Sequence, residues 1–103
     1  MKADLLIDRN LVIQDGKYVA FIKVFRVPIS KKFPEGIKAK FLLQDVEKKC
    51  ARLLVDNHAP FGFHLHSRLP DDSDYREPLN VRDHDEALDV FFEEMWKVVR
   101  NEE

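Results

Sequence analysis

The first two thirds of the chain alternate between apolar and polar residues. From residue 3 to residue 14 the apolar side chains concentrate at odd positions, and a period of two residues is typical of a half-buried strand. The dipeptide Asp15-Gly16 follows. It is a strong signal for a type I′ hairpin turn, because both central residues of that turn need positive φ. The pattern therefore predicts two antiparallel strands, at about 3–14 and 17–29.

A two-residue turn also determines which residues face each other across this hairpin. It places Leu11 opposite Ala20, so that apolar residues meet on one face, and Asp8 opposite Lys23 as a pair of opposite charges. The other face carries more apolar side chains than a sheet surface leaves in water. We therefore expect a homodimer or a bound partner to cover that second face, which carries Val19, Phe21, Phe25 and Val27.

Three further strands are predicted downstream. Residues 37–45 alternate again, and residues 50–56 form a nearly continuous apolar run, as expected for a strand in the middle of a sheet. Residues 61–67 return to alternation. An acidic, proline-containing loop then precedes a short edge strand that we predict at 79–81.

Residues 84–100 have the spacing of an amphipathic helix. Asp83 is a suitable N-cap, and Glu86 three residues later completes the pattern of a capping box. The apolar stripe consists of Ala87, Leu88, Phe91, Phe92, Met95 and Val99. Together these elements predict an α+β fold, an antiparallel meander of four to five strands with one C-terminal helix packed across one face.

Composition narrows the class of protein. A length of 103 residues fits one domain over residues 1–103, and 45% hydrophobic with 35% charged residues describes a globular chain. No run of about 18 apolar residues is present, so we expect no contact with a membrane. The N-terminal residues lack the long apolar region of a signal peptide, and Cys50 has no cysteine to pair with. These features predict a cytoplasmic protein.

Charge is distributed unevenly along the chain. Residues 1–56 contain 12 Lys/Arg against 7 Asp/Glu, a net of +5, whereas residues 57–103 contain 5 against 12, a net of −7. A basic sheet surface can meet phosphates while an acidic helix surface meets cations. The basic half therefore keeps RNA among the candidate partners.

Three of the four histidines fall in one short segment. His64 and His66 occupy alternate positions of the fifth predicted strand, so they lie on the same side, about 6.6 Å apart along the backbone. Asp56 and Asn57 are turn-forming residues just upstream, and a bend there brings Asp56 and His58 toward the same face. We therefore predict a binding site formed by Asp56, Asn57 and His58 beside the two strand histidines.

One interpretation of this segment is metal-independent cleavage of RNA. His64 and His66 would serve as general base and general acid, since a free imidazole pKa of about 6.5 leaves both protonation states available near neutrality. A cationic side chain would stabilise the charge that develops on phosphorus. The candidates for that role are Arg68, Lys23 and Arg26.

Two other interpretations stay open. A metal site built from His64 and His66 with Asp56 or His58 has permissive spacing, although a His-x-His pair is a weak signal without a full ligand set. Alternatively the histidines are polar sheet surface, and the chain is a protein-binding or structural module. With no complete metal motif, glycine-rich phosphate loop, Cys-x-x-Cys or Gly-x-Ser-x-Gly, we expect no metal and no cofactor.

Short motifs along nearly the whole chain resemble, in the same order, the small TumE-like toxins of toxin–antitoxin pairs. These motifs precede a helical C-terminus, and they are Lys2-Ala3-Asp4-Leu5-Leu6, Asp15-Gly16, Phe25-Arg26-Val27-Pro28, Asp56-Asn57 and His64-Leu65-His66. The resemblance implies a toxin whose partner is a small helix-turn-helix antitoxin. Combined with the histidine strand, it leads us to expect a toxin that cleaves RNA.

Overall fold

The computed structural model describes residues 4–58 and 62–101. Its elements in chain order are β1 (Asp4–Ile13), β2 (Tyr18–Arg26), β3 (Ile37–Asp45), β4 (Cys50–Asp56), β5 (His64–His66), β6 (Glu77–Pro78) and α1 (His84–Asn101). The strands form one antiparallel sheet in the order β1 to β6, each paired with the next. The predicted α+β meander with a C-terminal helix is therefore confirmed, with a sixth strand of two residues added at the edge.

The β1–β2 hairpin has the predicted register. Leu11 pairs with Ala20 and Asp8 with Lys23. Asp15 and Gly16 both have positive φ, as a type I′ turn requires. The register shifts beyond Ile7, where an irregularity inserts one extra residue into β1. Such a bulge leaves no signature in the alternation of the sequence.

Several predicted boundaries are wrong by a few residues. β2 ends at Arg26, three residues before the predicted end, although the backbone N–H of Val27 still donates to the carbonyl of Gly36 in register with the β2–β3 ladder. The edge strand lies at Glu77–Pro78 and not at 79–81, since these two residues pair with Leu65 and His64. The predicted strand starts at residues 3 and 61 lie outside the described residues.

Helix α1 begins where the capping pattern predicts. Asp83 accepts a hydrogen bond from the backbone N–H of Glu86 at 3.0 Å. The carboxylate of Glu86 reaches back to Arg82, one residue before the cap, and accepts from its backbone N–H at 2.9 Å. Among the described residues, no helix combines the length and apolar character needed to cross a membrane.

The core lies between α1 and one side of the sheet. α1 contacts β3 and β4, and the rings of Phe41 and Phe91 pack with centroids 5.8 Å apart. We call this side the helix face and the opposite side the open face. Alternation along the strands sends one set of side chains to each. The buried side chains of the helix are Ala87, Phe91, Met95 and Val99.

The second face predicted to need a cover is the open face. On it Val19, Phe21 and Phe25 are half-buried within the single chain, while Val12 on the edge strand β1 is 70% exposed. The homodimer or partner that would cover this face stays a prediction.

Replacement of Phe91 tests the helix–sheet contact. Phe91→Ala removes a fully buried ring and should lower the free energy of unfolding by about 3–5 kcal/mol. Phe92→Ala is the matched control, because Phe92 is only partly buried beside it. Urea denaturation of both variants gives the comparison, and equal losses would contradict this packing.

Candidate functional site

The predicted histidines lie on the open face. Leu65 pairs with Val55, and both are buried in the core. Because neighbouring side chains of a strand point to opposite sides, His64 and His66 are directed away from α1. The same pairing places His64 directly opposite Asp56.

Asp56, His58 and His64 form a compact cluster. One ligand atom from each residue lies within 4.8 Å of the others. The carboxylate of Asp56 is 3.4 Å from Nδ1 of His58. The cluster thus combines one carboxylate and two imidazoles. Asp56 is the last residue of β4, His58 is the second residue after that strand, and His64 is the first residue of β5.

Three imidazole rings make a continuous row. The ring of His64 packs edge to face against His58 on one side and against His66 on the other, with both pairs of centroids 5.0 Å apart. Two of these rings are nearly inaccessible, since His64 is 1% exposed and His66 is 8% exposed. The side chains of Asp56 and His58 are 27% and 30% exposed, so the cluster opens to solvent through them.

Backbone carbonyls define the tautomers of the strand histidines. Nδ1 of His64 lies 2.8 Å from the carbonyl oxygen of Gly62, and Nδ1 of His66 lies 3.1 Å from that of Ser73. A carbonyl oxygen only accepts, so Nδ1 donates in both rings. In the neutral ring the lone pair then belongs to Nε2, so Nε2 is the nitrogen that can accept a hydrogen bond or bind a metal.

Burial lowers the pKa of His64. The nearby imidazoles of His66 and His58 act in the same direction, whereas the hydrogen bond to Gly62 and the charge of Asp56 oppose it. The neutral ring is therefore favoured near neutral pH. A neutral imidazole is the form that binds metals.

The cations predicted to act with the histidines are dispersed. The guanidinium of Arg68 stacks on Tyr75, 3.8 Å from the ring centroid. Lys23 is on the open face but three strands from His64, about 14 Å by strand spacing. Arg26 is three residues after Lys23 in β2, so its side chain lies on the opposite side of the sheet, the helix face. The catalytic roles of these residues stay predictions, and the structure separates Lys23 and Arg26 from the histidines.

Lys40 is closer to the cluster and was not among the predicted site residues. It pairs with Asp56, which in turn pairs with His64. The alternation of residues in β3 predicts that Lys40 lies on a lysine-bearing face. Only the register between β3 and β4 shows that Asp56 is its neighbour. That register contains an irregularity between Leu43 and Gln44, so it could not be counted from the turn.

Asn57 has structural contacts in place of the predicted site contacts. Its side chain is buried, accepts from the backbone N–H of Ala39 at 2.9 Å and donates to the carbonyl of Ile37 at 2.8 Å. These two bonds extend the pairing of β3 with β4 beyond the last ladder residue. Asn57 thus holds the chain in place just before His58, and its binding role stays a prediction.

The fold and this cluster define an α+β meander protein with a His/Asp group on the sheet face away from the helix. No family model matches the chain, and no curated protein or solved structure matches it either. The resemblance to the TumE-like toxins therefore depends on the order of the sequence motifs.

Substitution of Asn57 should destabilise the fold. Asn57→Ala leaves the buried backbone groups of Ala39 and Ile37 without their side-chain partner, at about 1–3 kcal/mol for each group. Asn10→Ala is the control, since Asn10 is exposed on β1. Chemical denaturation measures the stability of both variants. An Asn57 variant as stable as the Asn10 variant would contradict a stabilising role for the two hydrogen bonds of Asn57.

Proposed function

We propose that this protein binds a divalent transition-metal ion through Asp56, His58 and His64. The observation that carries the proposal is the convergence of their ligand atoms within 4.8 Å. Two imidazole nitrogens and one carboxylate oxygen are a ligand set used for Zn²⁺ and for Fe²⁺. This proposal departs from the expectation of no metal. Of the alternative ligand set considered in the sequence, Asp56 and His58 join His64 while His66 lies outside the group.

The surroundings of His64 support this role. Metal-binding histidines usually donate their second ring N–H to a carbonyl or carboxylate, which orients the ring and increases its basicity as a ligand. The carbonyl of Gly62 accepts that bond from His64. The lowered pKa keeps the ring neutral, so little proton release opposes binding near pH 7.

Partial exposure of the cluster indicates the kind of site. Asp56 and His58 face solvent in part, and three protein ligands leave at least one tetrahedral position for water or a substrate. Structural zinc sites are closed by four protein ligands. An open three-ligand site is therefore suited to chemistry or to reversible ligand binding.

RNA cleavage by a TumE-like toxin is a second candidate function. In its favour, the rings of His64 and His66 are adjacent on the open face, and Lys40 lies in the same sheet row. The exposed fractions of 1% and 8% weigh against direct contact of both rings with a ribose phosphate. A metal-assisted reaction avoids this difficulty, because metal ions can activate water and stabilise the charge on a phosphodiester. A helix-turn-helix antitoxin would be the partner.

Metal titration tests the first candidate. Isothermal calorimetry should show one Zn²⁺ ion per chain, and a concentration of 100 times Kd should stabilise the fold by about 2.7 kcal/mol. His58→Ala and Asp56→Asn should abolish this binding while changing stability little, since both side chains are partly exposed. His84→Ala is the control, because His84 lies on α1 and contacts Asp85. Unchanged binding in His58→Ala or Asp56→Asn would exclude the site.

A cleavage assay distinguishes the two mechanisms for RNA. Labelled RNA incubated with the protein should be cleaved in the presence of Zn²⁺ or Mn²⁺, and chelation or His58→Ala should abolish cleavage. Growth inhibition on expression should disappear in the same variant. Cleavage that survives chelation but is lost on substitution of His66 would instead identify the metal-independent histidine pair.

A further inference from the structure

A shallow groove crosses the open face beside the cluster. It has a volume of about 310 Å³ and is lined by Phe21, Lys23, Lys40, Leu42 and Gln44. All five belong to β2 and β3, the strands next to β4. We call this surface the lysine groove.

The two lysines of the groove form an unfavourable pair. Lys23 and Lys40 lie directly opposite each other across β2 and β3, and both are exposed. Like charges at opposite positions destabilise a sheet. Asp8 and Asp56 flank them in the same row, yet neither lysine forms an ion pair with any residue in the described parts of the chain. A bound anion would relieve this repulsion.

Further side chains on the same strands extend the pattern. Phe21, Lys23 and Phe25 alternate along the open face of β2, and both phenyl rings are half-buried. Lys38 lies opposite Phe25 and is exposed. Aromatic rings interleaved with lysines on an uncovered sheet are the means by which such surfaces stack bases and contact phosphates.

We propose that the lysine groove binds single-stranded RNA. Stacking on Phe21 and Phe25 requires bases whose faces are free, which a duplex does not offer. Gln44 lies at the end of the groove, and its amide group can exchange hydrogen bonds with a ribose 2′-hydroxyl, the group that distinguishes RNA from DNA. The contacts on β2 and β3 do not require metal at Asp56.

Charge opposes a second copy of the chain as the occupant. A two-fold dimer through this face would bring Lys23 and Lys40 of one chain toward the same pair of its partner. Juxtaposed like charges disfavour such a contact. A polyanion complements the lysines and also covers the phenyl rings.

Fluorescence anisotropy with a labelled single-stranded 12-mer RNA tests the proposal. The double variant Lys23→Gln/Lys40→Gln should bind at least ten-fold more weakly, and the slope of log affinity against log salt should become shallower by about 1.4, as for the loss of two phosphate contacts. Lys31→Gln/Lys32→Gln removes the same charge from the exposed loop before β3 and should bind like the parent protein.

Further measurements distinguish RNA binding in the groove from metal-dependent binding and from dimerisation. Chelated protein should keep full affinity, so failure of the metal site and failure of the groove are distinguishable. Phe21→Leu should weaken binding without changing the salt slope. Equal affinity for single-stranded DNA or for duplex RNA, or equal loss in the loop variant, would overturn the proposal. The proposal would also be overturned if the parent protein bound no RNA and sedimented as a dimer that the variant Lys23→Gln/Lys40→Gln stabilises.

Discussion

The pairing of β4 with β5 is the contact on which the site depends. Val55 and Leu65 lie opposite each other in the core. Because side chains alternate along both strands, burial of this pair forces the next pair, Asp56 and His64, to the open face and directly opposite each other. A slip of one residue would turn both strand histidines into the core and expose Leu65. The hydrophobic cost of that slip therefore maintains the carboxylate and the imidazole as neighbours.

Placement of the helix on one side of the sheet separates the acidic residues of α1 from the lysines of the open face. α1 covers β3 and β4 on the helix face, whereas Lys23, Lys40 and Asp56 lie on the open face. The acidic residues on the outside of α1 are then separated by the whole sheet from Lys23 and Lys40. Lys23 and Lys40 supply positive charge on the open face, where Asp8 and Asp56 flank them in the same row.

Burial gives the histidines of the open face their particular properties. Neighbouring rings enclose His64, and Ser73 from the loop after β5 contacts His66. A proton shuttle needs contact with its substrate and access to both protonation states. A metal ligand needs a neutral ring with one oriented nitrogen, and burial with a carbonyl partner provides both. The local environment of His64 is therefore better suited to holding an ion than to exchanging a proton with a substrate.

Alternation, the Asp15-Gly16 turn and the capping residues were enough to predict the meander, the first register and the helix, because each depends on neighbours within a few residues. They also placed His64 and His66 on one side of a strand. The sequence could not show that the side chain of Asn57 bonds to β3 or that Lys40 adjoins Asp56. These relations depend on pairing between strands distant in sequence, where bulges shift the register. Only the folded sheet determines them, since local patterns specify the face of a strand but not its partner across the sheet.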